Sequence, residues 1–122
     1  MFVKALKGKI HRGRVSQTKI DYPGSIGIDE DMMTAAGILP YEEVLVANVT
    51  NGERLETYAI PAPAGSKDII ILGAAARHFS VDDIVIIMNF GYYNEEEMRP
   101  GLKPNVLVCD EKNNFTLLKK KA

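Results

Sequence analysis

A chain of 122 residues has room for one hydrophobic core and too little for two. Its formal net charge of −1, with 25% charged residues, excludes the broad basic field of a nucleic-acid binder and the acidic excess of a disordered segment. The single cysteine, Cys109, excludes an internal disulfide and a multi-cysteine metal site; it is expected as a small buried residue on a late strand.

No apolar run reaches the roughly 20 residues of a membrane span, and Met1-Phe2-Val3-Lys4 lacks the apolar core of a signal peptide, so a cytoplasmic protein is expected. From Phe2 to Lys9 apolar residues alternate loosely and Gly8 interrupts, which predicts a strand with a bulge. Lys7, Lys9 and His11 then share one face, either a wet outer surface or a positive strip able to meet an anion. Val15 to Asp21 continues extended into the turn Tyr22-Pro23-Gly24-Ser25. Asp29 to Ala36 is the clearest helix, with Asp29 as N-cap, Glu30 and Asp31 at its positive end, and Gly37 as the stop. Glu43 to Val49 reads as a strand, Asn51-Gly52 as a hairpin turn, and Arg54 to Ile60 as the return strand, with Arg54, Glu56 and Tyr58 on one face. Pro61 to Ser66 is a loop by composition, Ile69 to Leu72 a buried strand, and Gly73 to Arg77 either a small helix or a place of close backbone approach. Asp83 to Tyr92 is a further strand, Asn94 to Met98 a capped surface turn, and Pro104 to Cys109 a last strand before a frayed Lys119-Lys120-Lys121 tail. Many short strands joined by Gly and Pro turns indicate a compact, mainly β barrel with a few short helices.

One stretch admits two chemistries. Asp21 to Asp29 reads as a tight turn between strands, because Pro23 fixes one φ and Gly24 accepts a positive one. A Gly-Ser bond also allows the serine hydroxyl to attack the preceding, uncrowded carbonyl and convert amide to ester. β-Elimination and hydrolysis then leave a pyruvoyl group on a new N-terminus.

Five separated segments decide between them: Lys9-Ile10-His11-Arg12, Gly24-Ser25, Thr50-Asn51-Gly52-Glu53-Arg54, Thr57-Tyr58 and Gly73-Ala74-Ala75-Ala76. In this order and spacing the chain resembles the pyruvoyl-dependent aspartate decarboxylases, from near Met1 to about Asn89, after which the resemblance fades. The resemblance implies a double-psi β-barrel, a homotetramer with active sites between neighbouring subunits, and conversion of L-aspartate to β-alanine and CO2 through a Schiff base, for pantothenate and coenzyme A synthesis. It also implies autocatalytic cleavage of a zymogen into a 1–24 β chain and a 25–122 α chain. Ser25 matches the residue that becomes the pyruvoyl cofactor, and neither a metal nor PLP is implied. Thr57 matches a residue beside the Gly24 carbonyl in processing and beside substrate later, and Tyr58 matches the proton donor. Gly73, Ala74 and Ala75 match the backbone that contacts substrate. Arg54 is assigned to the retained β-carboxylate, since a tight clamp on the departing carboxylate would stabilise the ground state more than the transition state. Lys9 and His11 are weaker candidates for the amine or α-carboxylate side, and Tyr22 for orienting the cleavage segment.

Leu72 departs from the family pattern, which usually carries Asn there, and so bears on processing. A barrel that does not cleave itself is therefore one rival, as is a binding module using the strip Lys4, Lys7, Lys9, Arg12 and Arg14. Near-zero net charge and the lack of interleaved aromatics argue against nucleic acid. His11 and His78 stand at no metal-ligand spacing, and His78 is expected as a structural residue. Maturation by an accessory protein is left open.

Overall fold

The computed structural model describes residues 1–118, so the Lys119-Lys120-Lys121 tail lies outside the described residues. Nine strands form one mixed sheet: β1 (Phe2–Arg14), β2 (Gln17–Lys19), β3 (Ser25–Asp29), β4 (Glu43–Asn48), β5 (Arg54–Ala62), β6 (Ile69–Leu72), β7 (Ile84–Asn94), β8 (Asn105–Cys109) and β9 (Phe115–Leu117). Two short helices, α1 (Glu30–Ala36) and α2 (Glu95–Met98), and a 3₁₀ turn at Gly73–His78 complete it. Strand order is β2-β6-β3-β5-β4-β7-β1-β8-β9. Pairs β1/β8, β2/β6 and β3/β5 are parallel and the others antiparallel. This is the expected mainly β architecture with a few short helices, and no helix among the described residues is long and apolar enough to cross a membrane.

Local chemistry accounts for most element ends. Asp29 accepts the Asp31 N–H as N-cap of α1, and Gly37 closes that helix in the left-handed conformation at φ 73°. Asn94 and Glu97 form a reciprocal capping box on α2. The predicted bulge is present, as a register shift between Leu6 and Gly8 against β7, and a second shift falls between Ile10 and Gly13. Ile10, Ile26, Ile28, Met32, Ile69, Ile71, Ile87 and Leu107 fill the interior, and every residue of β3 is buried.

Several boundaries differ from the sequence reading. β1 runs to Arg14 because β7 and β8 pair with it from both sides, whereas β2 has only three residues. Pro61 and Ala62 belong to β5 rather than to the following loop, since they lie in register with Ile28 and Asp29. The β4–β5 hairpin is wider than an Asn-Gly turn: its strands stop at Asn48 and Arg54, and only Gly52 of the turn pair has a positive φ. β8 is not the last strand, because β9 pairs back onto it. The closing segment is pinned by Asn113, whose side chain accepts the Arg14 N–H at 2.7 Å and donates to the Arg14 and Lys67 carbonyls at 2.8 and 2.9 Å.

Candidate active site

Two ladders meet at the N-terminal end of β3. Ile26 pairs with Ala59 in the parallel β3/β5 ladder, which sets Gly24-Ser25 alongside Thr57-Tyr58. Ser25 pairs with Leu72 in the antiparallel β3/β6 ladder, which brings Gly73 against Gly24. A Cβ added to Gly73, at φ 84°, would fall 2.6 Å from both Cα and N of Gly24 and 2.8 Å from the Tyr22 carbonyl oxygen. Glycine is therefore required there twice over, for torsion and for space. Gly24 has φ 46°, and Ser25 has φ 157°, at the edge of the region only glycine enters freely. The Tyr58 hydroxyl donates to the Gly24 carbonyl at 2.7 Å. Polarising that carbonyl favours attack on its carbon.

An open cleft of about 370 Å³ lies beside this junction, lined among others by Gly24, Arg54, Thr57, Leu72, Ala74 and Ala75. Thr57 thus shares the cleft with Gly24, although the hydrogen bond to the Gly24 carbonyl comes from Tyr58. Among the described residues Arg54 forms no ion pair, although Glu53 and Glu56 line the same cleft. A guanidinium so placed offers two parallel donors to a carboxylate. Leu72, 5% exposed, gives the cleft an apolar wall opposite Ser25.

Of the remaining predicted residues, Lys9 and His11 lie elsewhere within one chain. Lys9 pairs with Met88, Met88 with Leu45 and Leu45 with Glu56, so three strand spacings, about 14 Å, separate it from β5. Lys7, predicted to share its face, is held by Glu42 at 2.9 Å. His11 is away from the cleft, its Nδ1 buried without a hydrogen-bond partner. Burial, then the charges of Lys9 and Arg12, push its pKa below the usual histidine value, which weakens it as a cation. Tyr22 contributes through its backbone: its carbonyl accepts the Gly24 N–H at 2.9 Å and lies against Gly73, while its side chain is exposed.

Sequence reading missed three features. Glu56 lines the cleft, and its alternation with Arg54 and Tyr58 was the available signal. His78 was expected to be structural; its side chain is instead exposed at the cleft, with Nδ1 3.9 Å from Glu53, and only its backbone carbonyl has a structural part, accepting Asn48 and Asn51 side-chain N–H groups at 3.2 and 2.9 Å. Tyr41 stacks on Tyr58 with ring centroids 6.1 Å apart and planes 25° apart. Nothing local marks it. Among the described residues no group of three or more His, Cys, Asp or Glu is gathered that could hold a metal ion.

Comparison with known proteins places the chain among the carboxy-lyases. It belongs to the aspartate decarboxylase family, whose sequence model, described as Aspartate decarboxylase, matches residues 1–116. The aspartate 1-decarboxylase of Coprothermobacter proteolyticus is 48% identical over 120 residues, 98% of each chain. That of Lactiplantibacillus plantarum is 49% identical over 116 residues, covering 95% of this chain and 88% of the relative. That of Thermosipho africanus is 48% identical over 117 residues, covering 96% and 95%. A solved structure, the rationally designed mkDPBB_sym_86 protein, aligns with TM-score 0.46 and 17% identity over 68% of this chain and 91% of that one. The likeness does not stop near Asn89, as the motifs suggested, but runs through β8 and into β9. The ladder of β8 on β1 and the Asn113 bonds to Arg14 tie that segment into the sheet.

Proposed function

We propose that this chain decarboxylates L-aspartate to β-alanine and CO2, in the supply of pantothenate and coenzyme A, with a pyruvoyl group made from its own Ser25. The observation that carries the reading is the Tyr58 hydroxyl on the Gly24 carbonyl, at a junction confined by Gly73. In maturation the Ser25 hydroxyl attacks the Gly24 carbonyl carbon, the C–N bond breaks as the ester forms, and the nitrogen takes the proton. Elimination of the Gly24 carboxylate and hydrolysis with loss of ammonia leave a 1–24 β chain and a 25–122 α chain. Thr57 stabilises the oxyanion of the first step. The confined junction and the room left by Gly73, Ala74 and Ala75 fit a small keto group at residue 25.

When present, that group supplies a carbonyl for the substrate amine and a sink for the electrons released with CO2. Arg54 holds the retained β-carboxylate, which keeps its charge throughout. Thr57 and the backbone at Gly73, Ala74 and Ala75 position the substrate, and Tyr58 returns a proton to the carbon that lost CO2. Tyr22 orients the cleavage segment of its own chain, while Lys9 and His11 serve from a neighbouring subunit of a homotetramer, which the distance of Lys9 from its own cleft supports. So does the half-buried apolar face of Leu45, Ile86, Met88 and Phe90 outside the barrel. The reading needs no PLP and no metal and places the enzyme in the cytoplasm; a maturation factor would act on the Gly24-Ser25 step.

Intact-mass analysis before and after borohydride, with and without aspartate, tests it. The expected result is two pieces split ahead of residue 25, with borohydride fixing aspartate-derived mass to the 25–122 piece. An uncut chain after prolonged incubation would favour a non-processing barrel acting as a binding module, the reading toward which the buried Leu72 opposite Ser25 points.

A further inference from the structure

Tyr41 is an unexpected residue for its backbone. It is 76% exposed yet adopts φ 66°, a left-handed conformation that a bulky aromatic side chain disfavours and that asparagine or glycine would accept. Its surroundings hold it there. The Tyr41 N–H donates to the Ala59 carbonyl at 2.7 Å, the Ala59 N–H donates to the Glu42 carbonyl at 3.0 Å, and the Glu42 carboxylate takes the Leu39 N–H, the Lys7 ammonium and the Asn89 amide. The turn at Leu39–Glu42 is thereby docked onto β5 immediately after Tyr58. The strained torsion directs the Tyr41 ring onto the Tyr58 ring, in the offset arrangement aromatic pairs prefer.

Tyr58 is itself 39% exposed on the outward face of β5, where a phenol would otherwise sample several rotamers. Its hydroxyl nevertheless meets the Gly24 carbonyl. We infer that Tyr41 is a positioning residue for Tyr58: its ring restricts the phenol to the rotamer that reaches the Gly24–Ser25 junction at the Gly24 carbonyl, at a cost in backbone strain. This rests on the proposed role of Tyr58 as proton donor. Stacking requires only the ring, so the Tyr41 hydroxyl is dispensable.

The test compares Tyr41→Asn and Tyr41→Phe in the full, self-cleaved enzyme, with kcat expressed per cleaved chain. Asparagine accepts the torsion but removes the ring, so Tyr41→Asn should lower kcat about 3- to 10-fold, leave KM within about twofold, and leave the thermal midpoint unchanged or raised. Tyr41→Phe should behave as wild type. In a Tyr58→Phe background, where kcat has already fallen, Tyr41→Asn should add nothing further. Full activity in Tyr41→Asn would overturn the inference, as would equal losses in Tyr41→Phe, or a fall in kcat that only follows a fall in thermal midpoint. A Tyr58→Phe enzyme that keeps wild-type kcat would instead remove the proton-donor reading on which the inference stands.

Discussion

The two ends of β3 are built in opposite ways. At its C-terminal end the Asp29 carboxylate accepts the N–H groups of Asp31, Gly65 and Lys67 at 2.8, 3.1 and 2.7 Å, and the Asp29 N–H donates to the Asp68 carbonyl at 2.9 Å. Both carboxylate oxygens are occupied and the residue is 1% exposed. At the N-terminal end, Ser25 carries an uncommon torsion beside an open cleft whose arginine, among the described residues, forms no ion pair. The five residues of β3 thus carry a fully satisfied anchor at one end and a tightly confined junction at the other. Strain of about 1–3 kcal/mol at a residue persists only where surrounding structure over-determines it. Here the anchor and two ladders fix the strand, so the junction cannot relax by sliding along it.

The comparison is broken most completely from the junction side. Gly73→Ala places a methyl against the Gly24 backbone and strains a left-handed torsion; we expect self-cleavage to be lost, with about 2–4 kcal/mol of stability, read by intact mass and denaturant unfolding. Asp29→Ala attacks the other end, leaving three N–H groups without their acceptor, for a loss of about 2–4 kcal/mol. If the anchor restrains the junction, cleavage in this variant should also slow, whereas an unchanged cleavage rate would show the two ends to be independent. Arg54→Lys keeps the charge but loses the fork, and should raise KM for aspartate about 10- to 100-fold in fully cleaved enzyme; an unchanged KM would refute the β-carboxylate assignment.

The smallest effect is one of pH, away from both ends. Burial raises the Glu42 pKa, but hydrogen bonds from the Leu39 N–H, Lys7 and Asn89, with the charge of Lys7, outweigh it, and the net direction is below the ordinary 4.5. A depressed carboxylate contributes stability above its unfolded value and loses it as pH falls through the folded one. The stability gap between wild type and Glu42→Gln should therefore be widest near neutral pH and close below the ordinary carboxylate range. A gap that stays constant into acid would contradict it.

Legibility in the sequence divides along the same line as range. The Asp29 cap and the Asn94 box were readable because each is decided by neighbours a few residues apart, and the bulge near Gly8 and the apolar run Ile69–Leu72 because residue type alone marks them. The parallel pairing of β3 with β5 was not, since alternation says which face a strand buries and not which strand it meets. β9 was missed because Phe115–Leu117 is too short to show a period. At the site, Gly24-Ser25 alone reads as an ordinary turn; its neighbours Thr57, Tyr58 and Gly73 became visible only through the spacing of whole motifs. Tyr41 and His78 were invisible because their torsion and exposure depend on docking to distant backbone.

The location of β1 carries a last consequence. It lies between β7 and β8, deep within the sheet order, while β2 is paired to β6. Severing the backbone ahead of residue 25 would therefore release no peptide, and native gel filtration would not register the event. Unfolding would register it: two polypeptides must find each other again, so recovery from denaturant would become concentration-dependent and the molecule's durability a matter of how slowly it comes apart.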